Sequence, residues 1–450
     1  MRESGGNKMG TMPVPRLLAN MSIPLMVSLL MQSLYNIVDS IFVAKISETA
    51  LTATSLAYPV QILMVAAAVG TAVGVSALLS RLVGQKQVEQ ACQGAANGLM
   101  LAISTSILFA ILGLTAVDAF VGLFTDDPET AEMCTAYLRI CMIFCTGNFL
   151  EIMGQRFLQA VGNTFMSMVS LFASALTNII LDPILIFGIG PFPELGIRGA
   201  AIATVIGQWV GAVVVLLLNH FCNALVHPRL RGFRPDFRMI AGIYQVGAPT
   251  MLTQAMGSIM NASMNAILIT FSSTAVAFFG VYFKLQNFLF MPINGLGQAV
   301  LPIVGYNYGS RQADRLRAVW KTALPAAAIV GVLGTVLFCA IPGPLLSLFS
   351  ASDAMLALGI PALRIISCTF ALGGLTTVLG FYASGLGNGV ISMLGTTLRQ
   401  FLLLIPAVWL LAQLAGIDRI WFAFWFSEAG ALLVTALLFV RTYKKKLAGL

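Results

Sequence analysis

The sequence predicts an all-α integral membrane protein, with about twelve transmembrane helices in two pseudo-symmetric six-helix bundles. Three observations lead there. Of the 450 residues, 58% are hydrophobic and only 9% are charged, against about 25% charged in an ordinary soluble domain. Apolar segments run past the roughly 20 residues that a helix needs to cross a bilayer, and the roughly 10-residue alternation of an outer-membrane barrel is missing. Finally, a series of residues recurs at a constant offset of 225.

Hydropathy places the first six spans near 17–44, 52–80, 92–116, 131–158, 165–188 and 198–221. The second six fall near 242–271, 276–304, 319–341, 355–383, 391–414 and 420–441. The repeat aligns them. Pro24 answers to Pro249, Gly70 to Gly295, Gly84 to Gly309, and Arg139-Ile140 to Arg364-Ile365. Leu123-Phe124 recurs as Leu348-Phe349, Gly162-Asn163 as Gly387-Asn388, and Ser167-Met168 as Ser392-Met393. An unshifted register over that distance is hard to reach by chance. Six spans per half is an even number, so both halves share one membrane orientation, which makes the repeat parallel. The expected organisation is a cytoplasmic tail at 1–14, a first lobe at 15–222, a basic linker at 223–240, a second lobe at 241–441 and a basic tail at 442–450.

The net charge of +8 follows topology and does not imply a nucleic-acid partner. One loop carries Arg229, Arg231, Arg234 and Arg238, another carries Arg311, Arg315, Arg317 and Lys321, and Arg441 with Lys444, Lys445 and Lys446 closes the chain. Asp118, Asp126, Asp127, Glu129 and Glu132 dominate a different loop. Cytoplasmic loops carry the excess of Lys and Arg, which puts both termini inside a multi-pass protein of the cell (inner) membrane, with the basic clusters facing lipid headgroups. Met1–Pro13 has neither a compact apolar core nor a small-residue cleavage site, so it reads as a cytosolic tail. The seven cysteines are scattered without a C-x-x-C pair and read as small hydrophobes in a reduced protein.

No enzyme is expected. His220 and His227 are the only histidines, no H-E-x-x-H occurs, and there is no Gly-rich phosphate loop for ATP. Asp126-Asp127-Pro128-Glu129 occurs once and lies in the outward loop. No cofactor is expected beyond a coupling ion.

The chemistry concentrates in the first span, at Tyr35-Asn36-Ile37-Val38-Asp39. An ionisable group in hydrocarbon is costly and usually faces a bundle interior or an aqueous cavity. Asn178 and Asp182 are four apart and so share a helix face. Both carboxylates fall in the outer half of their spans, and Thr204 lies at a similar level. The candidate cation-coupling set is Asp39, Asn178, Asp182, Thr204 and Tyr35, with Na⁺ placed at Asp39, Asn178 and Asp182. Hard oxygens suit such a cation, and two crowded carboxylates equally suit carriage of H⁺. The plain alternative is that each acid is a structural hydrogen-bond acceptor. The repeat supplies a control, because the positions 225 further on are Met264, Leu403 and Ala407. A need common to both lobes therefore does not explain these acids.

Weaker candidates concern a substrate cavity in the second half: Met256, Met260, Lys284, Phe288, Met291 and Glu428. Met and aromatic side chains make an adaptable apolar lining. Arg139, Arg364, Arg399 and Glu151 also fall within spans, without partners that the sequence can assign.

Together these residues resemble the MATE (multidrug and toxic compound extrusion) family, and most of all its bacterial MepA-like branch. The resemblance rests on Tyr-Asn-Ile-Val-Asp-Ser-Ile-Phe-Val-Ala at 35–44 and Asn-Ile-Ile-Leu-Asp-Pro-Ile-Leu-Ile-Phe-Gly at 178–188. It also rests on Gly-Ala-Ala-Ile-Ala-Thr at 199–204 and Pro-Ile-Val-Gly-Tyr-Asn-Tyr-Gly at 302–309. It implies a monomeric Na⁺- or H⁺-coupled antiporter for cationic, amphipathic drugs or dyes, with the first-lobe acidic site on Asp39, Asn178, Asp182 and Thr204. Some family members place a carboxylate on the seventh or tenth span, and this sequence has none in the interior of either. The alternative is a lipid-linked oligosaccharide flippase of related two-lobed architecture, which would call for a cationic cavity.

Overall fold

The computed structural model describes residues 7–229, 233–349 and 351–448, and every regular element among them is helical. The first half forms α1 (Val14–Ala44), α2 (Glu48–Gly84), α3 (Val88–Thr115), α4a (Pro128–Ile143), α4b (Thr146–Ala160), α5 (Thr164–Phe187) and α6 (Ile197–Cys222). The second forms α7 (Phe237–Leu268), α8 (Ser273–Gly309), α9 (Ala313–Ala340), α10a (Asp353–Ser367), α10b (Phe370–Gly385), α11 (Gly389–Ala415, interrupted by a π-turn at Leu398–Leu402) and α12 (Ala423–Leu447). Arg231 of the basic run, the first six residues of the expected N-terminal tail, and 449–450 of the C-terminal one lie outside the described residues.

Among the described residues, nine helices are long and apolar enough to cross a membrane, or eleven when each bent pair counts as one span. The pair α4a–α4b bends by 47° and α10a–α10b by 48°. The helix at the expected seventh span, α7, is not among them, although it has 32 residues. Gln245, Gln254, Asn261 and Asn265 dilute its apolarity.

The repeat governs the local structure. Both ends of α2 and α8 differ by 225, as do both ends of α3 and α9. Ser47 and Ser272 each hold an extended backbone, and their hydroxyls accept the N–H of Ala50 at 2.9 Å and of Ala275 at 3.1 Å. A serine in that place satisfies one of the free N–H groups of the first turn. After α4b and α10b the chain turns at Gly162 (φ 89°) and Gly387 (φ 84°), a backbone region open to glycine at little cost.

Internal contacts divide the chain into two compact units, one holding Val27–Met251 and the other Lys8–Met26 with Leu252–Leu450. The divisions fall inside α1 and α7, a few residues past Pro24 and Pro249. They differ from the expected lobe boundaries because each of these helices packs its N-terminal part away from its own six-helix set. Gly70 of α2 makes room for one of them, since a methyl there would stand 2.8 Å from the Gly247 carbonyl oxygen of α7. In the other unit a methyl at Gly295 of α8 would stand 2.9 Å from Met26 N of α1. Met26 and Met251, the residues met at these two glycines, are themselves 225 apart.

The first unit packs through small residues, which let helices approach closely in lipid. Gly98 lies against Val75, Gly113 against Met142, and Gly154 against Val215. On α3, Ile103, Ile107 and Ile111 are exposed at one-turn spacing, as suits a face turned to lipid. The second unit has an aromatic core: Trp421 meets Phe278 edge-on at 5.1 Å, and Phe370 sits 6.0 Å from Phe290 and 5.2 Å from Phe338. Part of the expected N-terminal tail is docked in this unit. A helical turn at Lys8–Thr11 buries Met9, whose carbonyl accepts from Asn307 Nδ2 at 3.1 Å and Arg315 Nη2 at 3.0 Å.

Candidate functional site

In the first unit, Gly207 brings α6 against α5: a methyl there would stand 2.9 Å from Ser174 O and 3.2 Å from Asn178 Cβ. One turn earlier on α6, Thr204 reaches the same place. Asn178 Nδ2 donates to Thr204 Oγ1 and to Asp182 Oδ1, each at 3.3 Å. Pro183 follows Asp182 and has no N–H to offer the carbonyl of Ile179, one turn back. Asp39 comes from the Val27–Ala44 part of α1 and is an electrostatic neighbour of Asp182.

Burial decides what this cluster can do. Asp182 is 0% exposed and Asn178 3%. Asp39 Oδ1, Asn178 Oδ1 and Asp182 Oδ2 are all buried without a hydrogen-bond partner among the described residues. A buried polar atom left unpaired costs about 1–3 kcal/mol, so these three acceptors are ones that a proton or a small cation would satisfy. The donor set is hard oxygen throughout, which fits Na⁺. Among the described residues no group of three or more His, Cys, Asp or Glu side chains could hold a metal. Na⁺ here would therefore rest on two carboxylates, the Asn178 amide oxygen and the Thr204 hydroxyl.

The structure thus gathers Asp39, Asn178, Asp182 and Thr204, with Tyr35 an electrostatic neighbour of Asp39 and Glu151. Two neighbours escaped the sequence reading. Tyr137 of α4a stands near both carboxylates, and its hydroxyl accepts from Gln61 Nε2 at 3.1 Å. Gln61 had a signal, because Gln286 lies 225 further on. Glu151 is a separate buried acid, accepting from Ser174 Oγ and Gln155 Nε2, each at 3.2 Å.

The second unit holds a cavity of about 280 Å³, and its lining corrects the expected one. None of Met256, Met260, Lys284, Phe288, Met291 and Glu428 is among its lining residues. On α8 the cavity face is Phe283, Gln286, Asn287, Phe290 and Asn294, one residue away from the expected face. A one-residue shift turns a helix by about 100°. Phe288 is accordingly 63% exposed, Lys284 is exposed with its Nζ 6.0 Å from the Phe349 ring, and Met260 is buried in the core. Glu428 pairs with Arg399 at 3.7 Å, and Arg399 does line the cavity.

With this geometry in place, the family model MatE matches the chain twice, over residues 24–184 and 249–410. The chain belongs to the MatE family. The two matched stretches begin 225 residues apart, so the MatE match and the internal repeat describe the same duplication. One MatE relative is the FAD transporter of Shewanella oneidensis, 26% identical over 409 residues, which are 90% of this chain and 90% of that protein. Another is the multidrug export protein MepA of Staphylococcus aureus (strain bovine RF122 / ET3-1), 24% identical over 95% of this chain and 93% of that protein. In fold, the chain is similar to a multidrug resistance MATE family transporter of the MOP superfamily solved in an outward-facing conformation. That structure gives a TM-score of 0.92 at 24% identity, covering 99% of both chains. This MatE protein is a multi-pass membrane protein of a transporter family.

Proposed function

We propose that this MatE protein is an antiporter that exports amphipathic organic cations across the cell (inner) membrane, with both termini in the cytoplasm. An entering Na⁺ or H⁺ at Asp39, Asn178, Asp182 and Thr204 drives it. The observation that carries the reading is the trio of buried, unpartnered oxygens on Asp39, Asn178 and Asp182, which the second half lacks at Met264, Leu403 and Ala407. The relative named as a multidrug export protein supports the substrate class. Exchange requires that cation and cargo favour different states, since a ligand indifferent to both shifts nothing. Asp39 stands on α1 whereas its partners stand on α5 and α6, so a bound cation ties α1 to that pair and its loss frees it.

The relative named as an FAD transporter supports a second reading, in which the cargo is a large anion. A lipid-linked oligosaccharide flippase would make the same demand for a cationic cavity, whereas the first-unit cluster is acidic. Ethidium efflux from proteoliposomes, with Na⁺ and pH gradients imposed separately, tests the main reading. Efflux that follows one gradient supports it and names the ion. Ethidium movement that ignores both gradients, beside gradient-driven movement of flavin dinucleotide, favours the anion.

A further inference from the structure

We propose that the second-unit cavity is a binding site for an aromatic carboxylate, with Arg399 as the residue that holds the anionic group. This goes beyond the antiport reading and stands on the second unit alone.

Among the described residues Arg399 is the only charged one lining the 280 Å³ cavity, and several of its features suit a ligand better than a closed ion pair. Its nearest approach to Glu428 is long, Nε to Oε1 at 3.7 Å, while Glu428 Oε2 is buried without a hydrogen-bond partner among the described residues. A guanidinium saturated by a carboxylate normally grips both oxygens in a fork. Arg399 also donates from Nη1 to the Gly373 carbonyl at 3.4 Å, and its Nη2 has no hydrogen-bond acceptor among the described residues. Gly373 is the cradle of this arrangement. A methyl there would stand 3.1 Å from Arg399 Nη1, from Glu428 Oε2 and from the Phe290 ring.

The backbone singles out the same place. Arg399 and Gln400 sit on the π-turn Leu398–Leu402, whereas residues 225 earlier, 173–177, lie in the regular helix α5. Such single π-turns are frequent at functional sites, where they re-aim side chains. Gln400, a cavity residue, has its side-chain oxygen buried without a hydrogen-bond partner among the described residues.

The walls define the rest of the ligand. Phe283, Phe290 and Phe381 are aromatic, and the guanidinium of Arg399 lies 5.7 Å from the Phe290 ring centre. An aromatic body against these rings would put its carboxylate at Arg399. The amides of Gln286, Asn287 and Asn294 can present either a donor or an acceptor to its other polar atoms. Glu428 then acts as the internal counter-ion that the ligand carboxylate replaces.

The probes are quinoline-2-carboxylate and quinoline-2-carboxamide, equal in shape and different in charge, titrated calorimetrically into the purified full chain in neutral detergent. Wild type should bind the acid about tenfold or more tighter than the amide, as a charge-assisted contact requires. Arg399→Lys should keep part of that preference, and Glu428→Gln should enlarge it. The double variant Arg399→Gln/Glu428→Gln leaves no unpaired buried charge and so protects folding; it should bind both probes equally. Equal binding by wild type, or an acid preference that survives in the double variant, would overturn the proposal. Displacement of the acid by phosphatidylglycerol but not by phosphatidylcholine would overturn it too, by giving the anion site to a lipid headgroup.

Discussion

Asn178 donates its side-chain N–H to Asp182 Oδ1 at 3.3 Å, from one turn earlier on the same helix. That donation fixes the orientation of the amide, because the same nitrogen also serves Thr204, and Asn178 Oδ1 is left buried without a partner among the described residues. Asn178→Leu keeps the volume but leaves Asp182 Oδ1 and Thr204 without their donor. The expected loss is about 1–3 kcal/mol, the cost of an unsatisfied buried acceptor. Thermal unfolding of the detergent-purified protein should show a lower midpoint, and an unchanged midpoint would mean that the bond holds nothing.

The two caps offer a test of the repeat as a structural unit. Ser47 and Ser272 start α2 and α8 with the same geometry. Ser47→Ala and Ser272→Ala should each cost about 1 kcal/mol. They stand in different units, so the double variant should lose about the sum. A silent variant at one site beside a damaging one at the other would show that the halves do not use their caps alike.

Much of this was legible in the residues, for stated physical reasons. Charge in lipid is costly, so Asp39 and Asp182 stood out, and i to i+4 spacing put Asn178 beside Asp182 in advance. The repeat itself was legible at Gly70 and Gly295, but the helix ends were not: the expected spans 52–80 and 276–304 fall short of α2 and α8 at both ends. The exchange of helix halves at Pro24 and Pro249 was not legible, because nothing in α1 itself tells Met26 to pack on Gly295. The cavity face of α8 was misplaced by one residue because the apolar residues of a membrane helix are poorly periodic. Met256 and Phe288 looked eligible only for being large and apolar, whereas the face that counts carries Gln286 and Asn287. The partner of Arg399 was hidden by the 29 residues separating it from Glu428.

Asp127 caps α4a with an exposed carboxylate that accepts from the Thr130 hydroxyl and, at 3.0 Å, from the Thr130 N–H. These two donors hold its pKa below the ordinary Asp value. A depressed folded-state pKa means that the cap contributes at pH above the ordinary value and is lost as pH falls through the depressed one. Amide exchange at Thr130, corrected for its intrinsic pH dependence, should stay protected down to about pH 4 and open below it. Asp127→Asn should remove that dependence, and an opening that persists in the variant would assign it to another group.

The proposed orientation puts the turn at Arg311 inside the cell and the acidic loop outside. In a background without the exposed Cys222 and Cys368, Gln312→Cys should resist an impermeant thiol reagent in intact cells, and Asp126→Cys should react. Labelling at 312 from outside would reverse the topology.

The coupling role turns on Asp39 and Asp182. Asp39→Asn and Asp182→Asn preserve shape and hydrogen bonding but remove the charge that a proton or Na⁺ would neutralise. A neutral amide is less costly to bury than an ionised carboxylate, so the variants should fold at least as well as wild type. Transport should respond in the opposite sense. Each variant should lose most gradient-driven ethidium efflux, on the order of tenfold or more if a charged contact is removed, while Met264→Leu in the second unit should pump normally. Ion-dependent protection separates this from a structural role. Wild type should gain thermal stability from the coupling ion, as any ligand specific for the folded state confers it, and both Asn variants should gain none. Asn variants that pump and respond to the ion like wild type would leave the two acids as packing elements, with the coupling site to be sought elsewhere.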